Sequence, residues 1–392
     1  MIANAPPFYA GRRKNMKKIG LFGGTFDPVH REHVALASCA LNALQLDRLI
    51  VIPALLPPHK RGRNIAPPAD RLAMCRLAFT EAGEEVSDWE LNRGETSYSY
   101  LTCRHFRELY PQDELYFVMG TDMFDSFDTW KNPDQIVRCV KLAVCRRDKE
   151  AGYLQAAHAP FVARYGADFV ELPFDGAPVS STRLRTVAAL GGKLEDVSNE
   201  VASYIRTRNL YAEPLLQRAL ALEKQSRREH SVRVALMAVE NARRFGVDET
   251  KALYAAGLHD CAKNLSPDSE YLKGFVPPEG CPPPVVHQYA GAYVAEHTFG
   301  ITDEEILDAV RYHTSGRPHM TPLGKLVFLS DMLEEGRSYP GVETLRALFR
   351  SDADRCLKES LKRQLVYLSG AGFAIDPLTQ RTYDSLIEKE GE

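Results

Sequence analysis

The spacing of apolar residues changes once along this chain, near residue 211, and the change implies two unlike folds in series. Before it, Lys17–Phe22, Arg48–Pro53, Glu114–Met119, Lys141–Cys145 and Asp168–Leu172 read as short strands. Between them, Val34–Leu44, Ala69–Ala82 and Ser97–Tyr110 carry helical spacing. Such alternation predicts an open α/β domain with a parallel, Rossmann-like sheet. From Pro214 onward the spacing is helical throughout, as in Leu215, Leu216, Ala219, Leu220 and then Val232, Val234, Leu236, Met237. Only the proline-bearing segments Val276–Pro284 and Pro318–Pro322 interrupt it, so an all-α bundle is expected there. The 392 residues divide into an N-terminal extension at 1–15, an α/β domain at 16–212 and a helical domain at 213–392.

Composition narrows the function classes. Lysine plus arginine number 49 against 52 acidic residues, a net charge of −3, which argues against a general nucleic-acid coat. No apolar run reaches the length of a membrane span, and Met1–Asn15 lacks an apolar signal core. The eight cysteines are scattered with no C-x-x-C pair, as expected of a reduced cytoplasmic protein.

The first constellation follows the first strand directly: Gly23-Gly24-Thr25-Phe26-Asp27-Pro28-Val29-His30-Arg31-Glu32-His33. Glycines let a phosphate approach the backbone, and the next helix points its free N–H groups at the same spot. His30 and His33, three apart at the helix start, share a face and can donate to phosphate oxygens. Lys60 follows the second strand in Pro57-Pro58-His59-Lys60. The hydroxyl-rich Val179-Ser180-Ser181-Thr182-Arg183-Leu184-Arg185 opens a later helix, with Arg185 on its first turns. The simpler alternative is a glycine-rich turn with two solvated histidines.

With "TSYSYLT" at 96–102, "YFVMGTDMFDSFDTW" at 116–130 and Arg146, residues 16–211 resemble the bacterial nicotinate mononucleotide adenylyltransferases. The resemblance implies AMP transfer from ATP to nicotinate mononucleotide, giving deamido-NAD and pyrophosphate, with Mg2+ arriving on the ATP. It assigns His30, His33, Lys60 and Arg185 to the ATP phosphates. Gly23, Gly24, Thr25, Phe26, Gly120, Asp122, Ser180, Ser181 and Thr182 lie beside the nucleotide, and Asp122 accepts from a ribose. Ser99, Trp130 and Arg146 fall on the substrate side, where Trp130 either stacks on the pyridine ring or is a plain core aromatic. Glu32 departs from the family's H-x-G-H pattern. Its carboxylate either repels phosphate, points outward, or touches a metal or ribose.

The second constellation lies on helices: His230, His259-Asp260, His287, His313 and Asp331. Most of these interrupt apolar stretches, and buried imidazole or carboxylate groups need partners that a metal ion supplies. His230, His259, Asp260 and Asp331 suffice for one mixed N/O site. His287 and His313, with a bridging Asp260, make a second. One or two ions are therefore expected; imidazole plus carboxylate suits iron, manganese or zinc, and spacing does not choose among them. Core and cap residues without metal are the alternative. His105, His158, His297 and His319 read as solvated.

The order H…HD…H…H…D, with "HDCAKNL", "AVRYHTSGRP" and "LSDMLEEGRSYPGV", resembles HD-domain phosphohydrolases of the symmetrical diadenosine tetraphosphatase branch. The resemblance covers about residues 214–388 and implies metal-assisted cleavage of diadenosine tetraphosphate to two ADP. Lys263, four residues after His259, is placed on its helix face toward substrate phosphate. Thr314 and Arg317 become polyphosphate contacts. Glu334 and Arg337 match the branch as well, though a surface salt bridge accounts for them equally.

The expectation is a bifunctional enzyme of small nucleotides, with no nucleic-acid or membrane partner and a possible homo-oligomer. The alternative keeps both folds but changes the acceptor to nicotinamide mononucleotide or phosphopantetheine. It makes the helical half another nucleotide phosphohydrolase, a nucleotide-sensing module or an oligomerisation module.

Overall fold

Ile19, Leu21 and Phe22 are buried in a run, as a strand covered on both faces requires. In the computed structural model, which describes residues 16–56, 65–146, 149–176 and 179–388, they form strand β1 (Lys18–Gly24). The other strands are β2 (Arg48–Pro53), β3 (Glu84–Val86), β4 (Glu114–Gly120), β5 (Lys141–Arg146) and β6 (Phe169–Asp175). Every pair is parallel, in the order β3-β2-β1-β4-β5-β6. The core of this part joins Ile19, Leu21, Ile50 and Ile52 to Leu115, Phe117, Met119 and Phe127. In that order, the loops leaving β1 and β4 diverge to opposite sides of the sheet. The crevice between them is where an open α/β sheet binds ligand.

The parallel sheet is as expected, with shifts at element ends. The second helix runs Pro68–Ala78 rather than to Ala82, because Phe79 turns to extended backbone. The helix expected at Ser97–Tyr110 runs Ser99–Leu109, and β6 continues to Asp175. Elements that escaped the sequence reading include β3, whose Glu-Glu-Val is too short and charged to register, and the helices Trp89–Arg93, Thr121–Asp125, Pro133–Cys139, Tyr153–Tyr165 and Asn199–Thr207.

By packing, the chain forms two units: Met1–Ser181 with Glu195–Arg208, and Thr182–Leu194 with Asn209–Glu392. No strand occurs among the described residues after Asp175. The second unit is a bundle whose core runs through Leu216, Val234, Ala238, Ala255, Leu258, Val294, Val310, Leu326 and Leu329. Its helices start on side-chain caps: Asp248 accepts from the Thr250 and Lys251 amides, Asp303 from Glu305 and Ile306, and Thr321 from Gly324. Pro282-Pro283-Pro284 leads through a 3-10 turn, Pro283–Val285, into the helix Val286–His297. Small residues bring these helices together. A Cβ on Gly291 would stand 3.2 Å from the His259 carbonyl oxygen, so this approach depends on glycine. No helix of the described residues is long and apolar enough to cross a membrane. All eight cysteines are free.

Two candidate active sites

The first site gathers at the end of β1. The chain leaves Gly24, passes Phe26 at a positive φ of 49° and a cis Asp27–Pro28 peptide, and enters the helix Arg31–Leu44 with His30 as N-cap. The His30 amide donates to His33 Nδ1 at 3.2 Å. With Nδ1 accepting, the neutral ring carries its proton on Nε2, which makes that atom a donor. The two rings stack with centroids 3.7 Å apart, so the expected shared face exists. Phe26, 1% exposed, backs His33 edge-on at 5.0 Å.

A residue absent from the sequence reading fixes this loop. Arg71 is fully buried and donates to the carbonyls of Thr25, Ala54, Leu55 and Ala66. It thereby ties the loop after β1 to the end of β2, while Asp27 accepts from the Ala66 amide. The signal was slight: one arginine inside the apolar spacing of a helix. Glu32 is buried at 8% exposure in the first helical turn, so of the three expectations the outward one fails. Its carboxylate lies over the backbone of Gly176, where a Cβ would come within 3.3 Å of Oε2.

Gly120 ends β4 and Asp122 follows in the turn. A Cβ at Gly120 would sit 2.5 Å from Asp122 Oδ1, so glycine there lets the carboxylate fold back over the strand end. Ser99 opens its helix and Arg146 closes β5. Trp130 packs against Phe127 and Phe117 at 5.4 and 6.2 Å, on the edge of the core. Lys131, next in sequence, lines a cavity of about 860 Å³ with Leu55, Arg71, Tyr98 and Tyr100; Trp130 and Ser99 are not among its lining residues. Lys131 Nζ stands 4.5 Å from the Tyr98 ring centroid. Ser181 Oγ donates to the Pro28 carbonyl at 3.0 Å, fastening the Ser180-Ser181 turn to the histidine loop. Thr182 and Arg185 fall in the second unit, where Arg185 Nη2 donates to Thr182 Oγ1. Lys60 lies outside the described residues.

The second site brings all six expected ligands together. His230, His259, Asp260, His287 and His313 are each at most 8% exposed. Asp260 is central: its Oδ1 lies 3.3 Å from His287 Nε2 and 3.5 Å from His313 Nε2, and its Oδ2 lies 3.5 Å from His259 Nε2. Asp331 Oδ1 stands 2.9 Å from His230 Nε2. Three histidines have their Nδ1 on a carbonyl oxygen, of Ala256, Pro284 and Val310, at 2.7–2.9 Å. A carbonyl only accepts, so each Nδ1 carries hydrogen. In the neutral rings each Nε2 then offers a lone pair to the centre.

Two such atoms, on His287 and His313, face each other at 3.1 Å. His259 Nε2 and Asp260 Oδ1 are buried without a hydrogen bond. Ligands at ~2.1 Å from a shared ion stand roughly 3.0–3.4 Å apart, and the donor pairs above, at 2.9–3.5 Å, lie close to that, so the residues fit a metal ion. Three overlapping groups each have their donor atoms within 4.8 Å of one another: His230, His259 and Asp260; His259, His313 and Asp331; Asp260, His287 and His313.

The charges respond to this crowding. Burial disfavours a proton on His259, but Asp260, Asp331 and Glu223 outweigh it and raise the ring to about 9. Burial, with His313 and Lys263, pushes His287 down to about 2. Arg227 donates to Asp260 Oδ2 at 3.0 Å, and Lys263 Nζ to His287 Nε2 at 2.8 Å.

Lys263 reaches the cluster by a different route from the one expected. The helix ends at Leu258, and residues 259–264 continue as turns, with the Lys263 amide on the Asp260 carbonyl. Thr314 also arrives, its Oγ1 3.1 Å from His287 Nε2, and Gln288 Oε1 holds the Thr314 and Ser315 amides. Arg317 is paired with Asp308 at 2.8 Å, which helps fix the turn after His313.

Glu223 went unread in the sequence. It is 3% exposed and accepts from Ser231 Oγ at 2.9 Å. Burial raises it from 4.5 to about 7, with His259 and Ser231 opposing. Between those pH values the folded chain holds a proton that the unfolded chain has released. Stability therefore falls as pH rises through that window, by up to about 3 kcal/mol in the metal-free protein. Glu223→Gln removes the titration. Relative to wild type, its melting temperature is expected to rise more at pH 8 than at pH 4.5. An equal shift at both pH values counts against a buried, protonated Glu223.

Comparison with known proteins agrees with both geometries. Residues 21–187 match the cytidylyltransferase-like family and residues 227–358 the HD domain. Over 328 residues the chain is 28% identical to a probable nicotinate-nucleotide adenylyltransferase/Ap4A hydrolase of Mycoplasma genitalium, covering 82% of this chain and 88% of that protein. It is 40% identical over 182 residues to the symmetrical bis(5'-nucleosyl)-tetraphosphatase of Bacillus subtilis, 44% of this chain and 97% of the relative. It is 37% identical over 202 residues to a probable nicotinate-nucleotide adenylyltransferase of Gloeobacter violaceus, 50% of this chain and 98% of the relative. The parallel sheet with its histidine loop and the helical bundle with its histidine–aspartate cluster thus place the chain in two families at once, the nicotinate-nucleotide adenylyltransferases and the symmetrical bis(5'-nucleosyl)-tetraphosphatases.

Proposed function

We propose that one chain performs two separate reactions on adenine nucleotides. The part at 16–212 transfers AMP from ATP to nicotinate mononucleotide, releasing pyrophosphate and deamido-NAD. The part at 213–392 hydrolyses diadenosine tetraphosphate to two ADP.

The stacked His30–His33 pair at a helix N-terminus carries the first assignment. No protein nucleophile is needed. The acceptor phosphate attacks the α-phosphorus of ATP, the α–β anhydride bond breaks, and its electron pair leaves on pyrophosphate. His33 Nε2–H and the helix amides stand where that charge collects. Lys60 and Arg185 are proposed as further cations on the triphosphate, which carries Mg2+, and Asp122 as the ribose acceptor. The cavity beside Ser99 and Trp130 offers flat aromatic faces and the Lys131 ammonium, a chemistry suited to an aromatic carboxylate.

The convergence of imidazole Nε2 atoms on Asp260 carries the second assignment. A divalent ion bound there, iron first with manganese or zinc alternative, polarises a phosphate oxygen and acidifies a water. His230, His259, Asp260, His287, His313 and Asp331 are the proposed ligands. Lys263, Thr314 and Arg227 lie at the same cluster and position the polyphosphate. Arg317 supports that loop through Asp308.

Removing metal separates the two reactions. After dialysis against a chelator, added Mg2+ is expected to restore deamido-NAD synthesis alone. Iron or manganese is expected to restore tetraphosphate cleavage. Cleavage at full rate in stripped protein with Mg2+ alone contradicts the transition-metal reading.

Glu32 provides a further check. Its buried carboxylate in the phosphate loop opposes bound ATP, so Glu32→Gly is expected to lower the KM for ATP with kcat little changed. An unchanged KM removes Glu32 from nucleotide binding.

A further inference from the structure

His230 differs from its three partner histidines in what holds the far side of its ring. The others give Nδ1–H to backbone carbonyls, whereas His230 Nδ1 lies 3.0 Å from Glu334 Oε1. Glu334 is 2% exposed, so the surface salt bridge allowed by the sequence is not what forms. Its other oxygen accepts from Arg233 Nε at 2.6 Å and from the Gly336 amide. Arg337 grips Asp331 through its side chain and backbone, and its Nη2 reaches His230 Nε2 at 3.4 Å. Nε2 thus faces the cluster, 2.9 Å from Asp331 Oδ1, while Nδ1 faces the Glu334 carboxylate.

We propose that Glu334 is a positioning residue for the metal centre: its buried carboxylate fixes the ring of His230 from behind and makes Nε2 the most electron-rich imidazole donor of the four. A carboxylate behind an imidazole raises the basicity of the metal-facing nitrogen, which a backbone carbonyl does less strongly. Arg233 holds that carboxylate charged, and Arg337 lies on the metal-facing side beside Asp331. The inference rests on the reading of the cluster as a metal centre.

The test is direct titration of metal-stripped full-length protein with Mn2+, followed by calorimetry. Wild type, His259→Ala, Glu334→Gln and Glu334→Ala are compared. Glu334→Ala is expected to weaken binding by about 10–100-fold. Glu334→Gln keeps the volume and an accepting oxygen but loses the charge, so it is expected to fall between Glu334→Ala and wild type. Wild-type affinity in both Glu334 variants, with His259→Ala unable to bind, overturns the role of Glu334 alone. Absence of binding by wild type overturns the metal centre itself. If Glu334→Ala does not fold, Glu334→Gln decides: wild-type affinity overturns the proposal.

Discussion

Asp260→Asn is expected to cut diadenosine tetraphosphate cleavage below about 1% of wild type while leaving deamido-NAD synthesis within twofold. The magnitude follows from a bound: residues that only support a metal ligand cost 10–100-fold, so a central ligand costs more than about 100-fold. Asp260 is the one carboxylate within 3.5 Å of His259, His287 and His313 together, and Arg227 and Lys263 also turn toward it. Asparagine keeps the shape and removes the charge that draws these groups inward. His259, raised to about 9 chiefly by Asp260 against the effect of burial, is then expected to fall toward its ordinary range. Rates of both reactions on the same preparation, with metal content, check this. Tetraphosphate cleavage above a tenth of wild type contradicts Asp260 as a ligand. Loss of both activities contradicts independent sites.

The mirror experiment is His30→Ala. Its expected effect is a loss of about 10²–10³ in kcat for adenylyl transfer, the range for removing one donor aimed at transition-state charge. Tetraphosphate cleavage is expected to stay at the wild-type rate. His33→Ala is expected to lose at least as much, because it removes the ring that accepts from the His30 amide as well as the Nε2–H donor. The KM for nicotinate mononucleotide is expected to change little, since neither histidine lines the cavity at Tyr98 and Lys131. A fall confined to that KM, with kcat unchanged, moves the two histidines from the phosphates to the acceptor.

Much of this was legible in the chain because it is local. The glycine pair, the histidines three apart and the strand before them need no distant partner to be recognised. The five strands read from apolar runs are all present in the sheet, since a strand buried on both faces leaves an unbroken apolar signature. The His-Asp order picked out the six residues that cluster, because imidazole and carboxylate inside apolar helices need some partner. What escaped was short or tertiary. The charged triplet Glu84–Val86 pairs only because β2 offers an edge. Arg71 serves carbonyls in segments up to 46 positions away, which no periodicity reports. Glu223 carried no signal, and Glu334 matched the phosphohydrolase branch but fitted a surface salt bridge almost as well; their burial appears only once the bundle closes over them.

The sequence by itself determined two unlike folds in series, the glycine–histidine loop and the six candidate ligand residues, because apolar period and residue chemistry are properties of neighbours along the chain. Only the tertiary structure decided which nitrogen of each histidine faces the centre, that Asp260 rather than Asp331 stands among three of them, and that Lys263 arrives by a turn instead of a helix face. Those outcomes depend on carbonyls, amides and glycines brought together from helices far apart in sequence. Hydrogen bonds of that kind exist only once packing has fixed the distances between them.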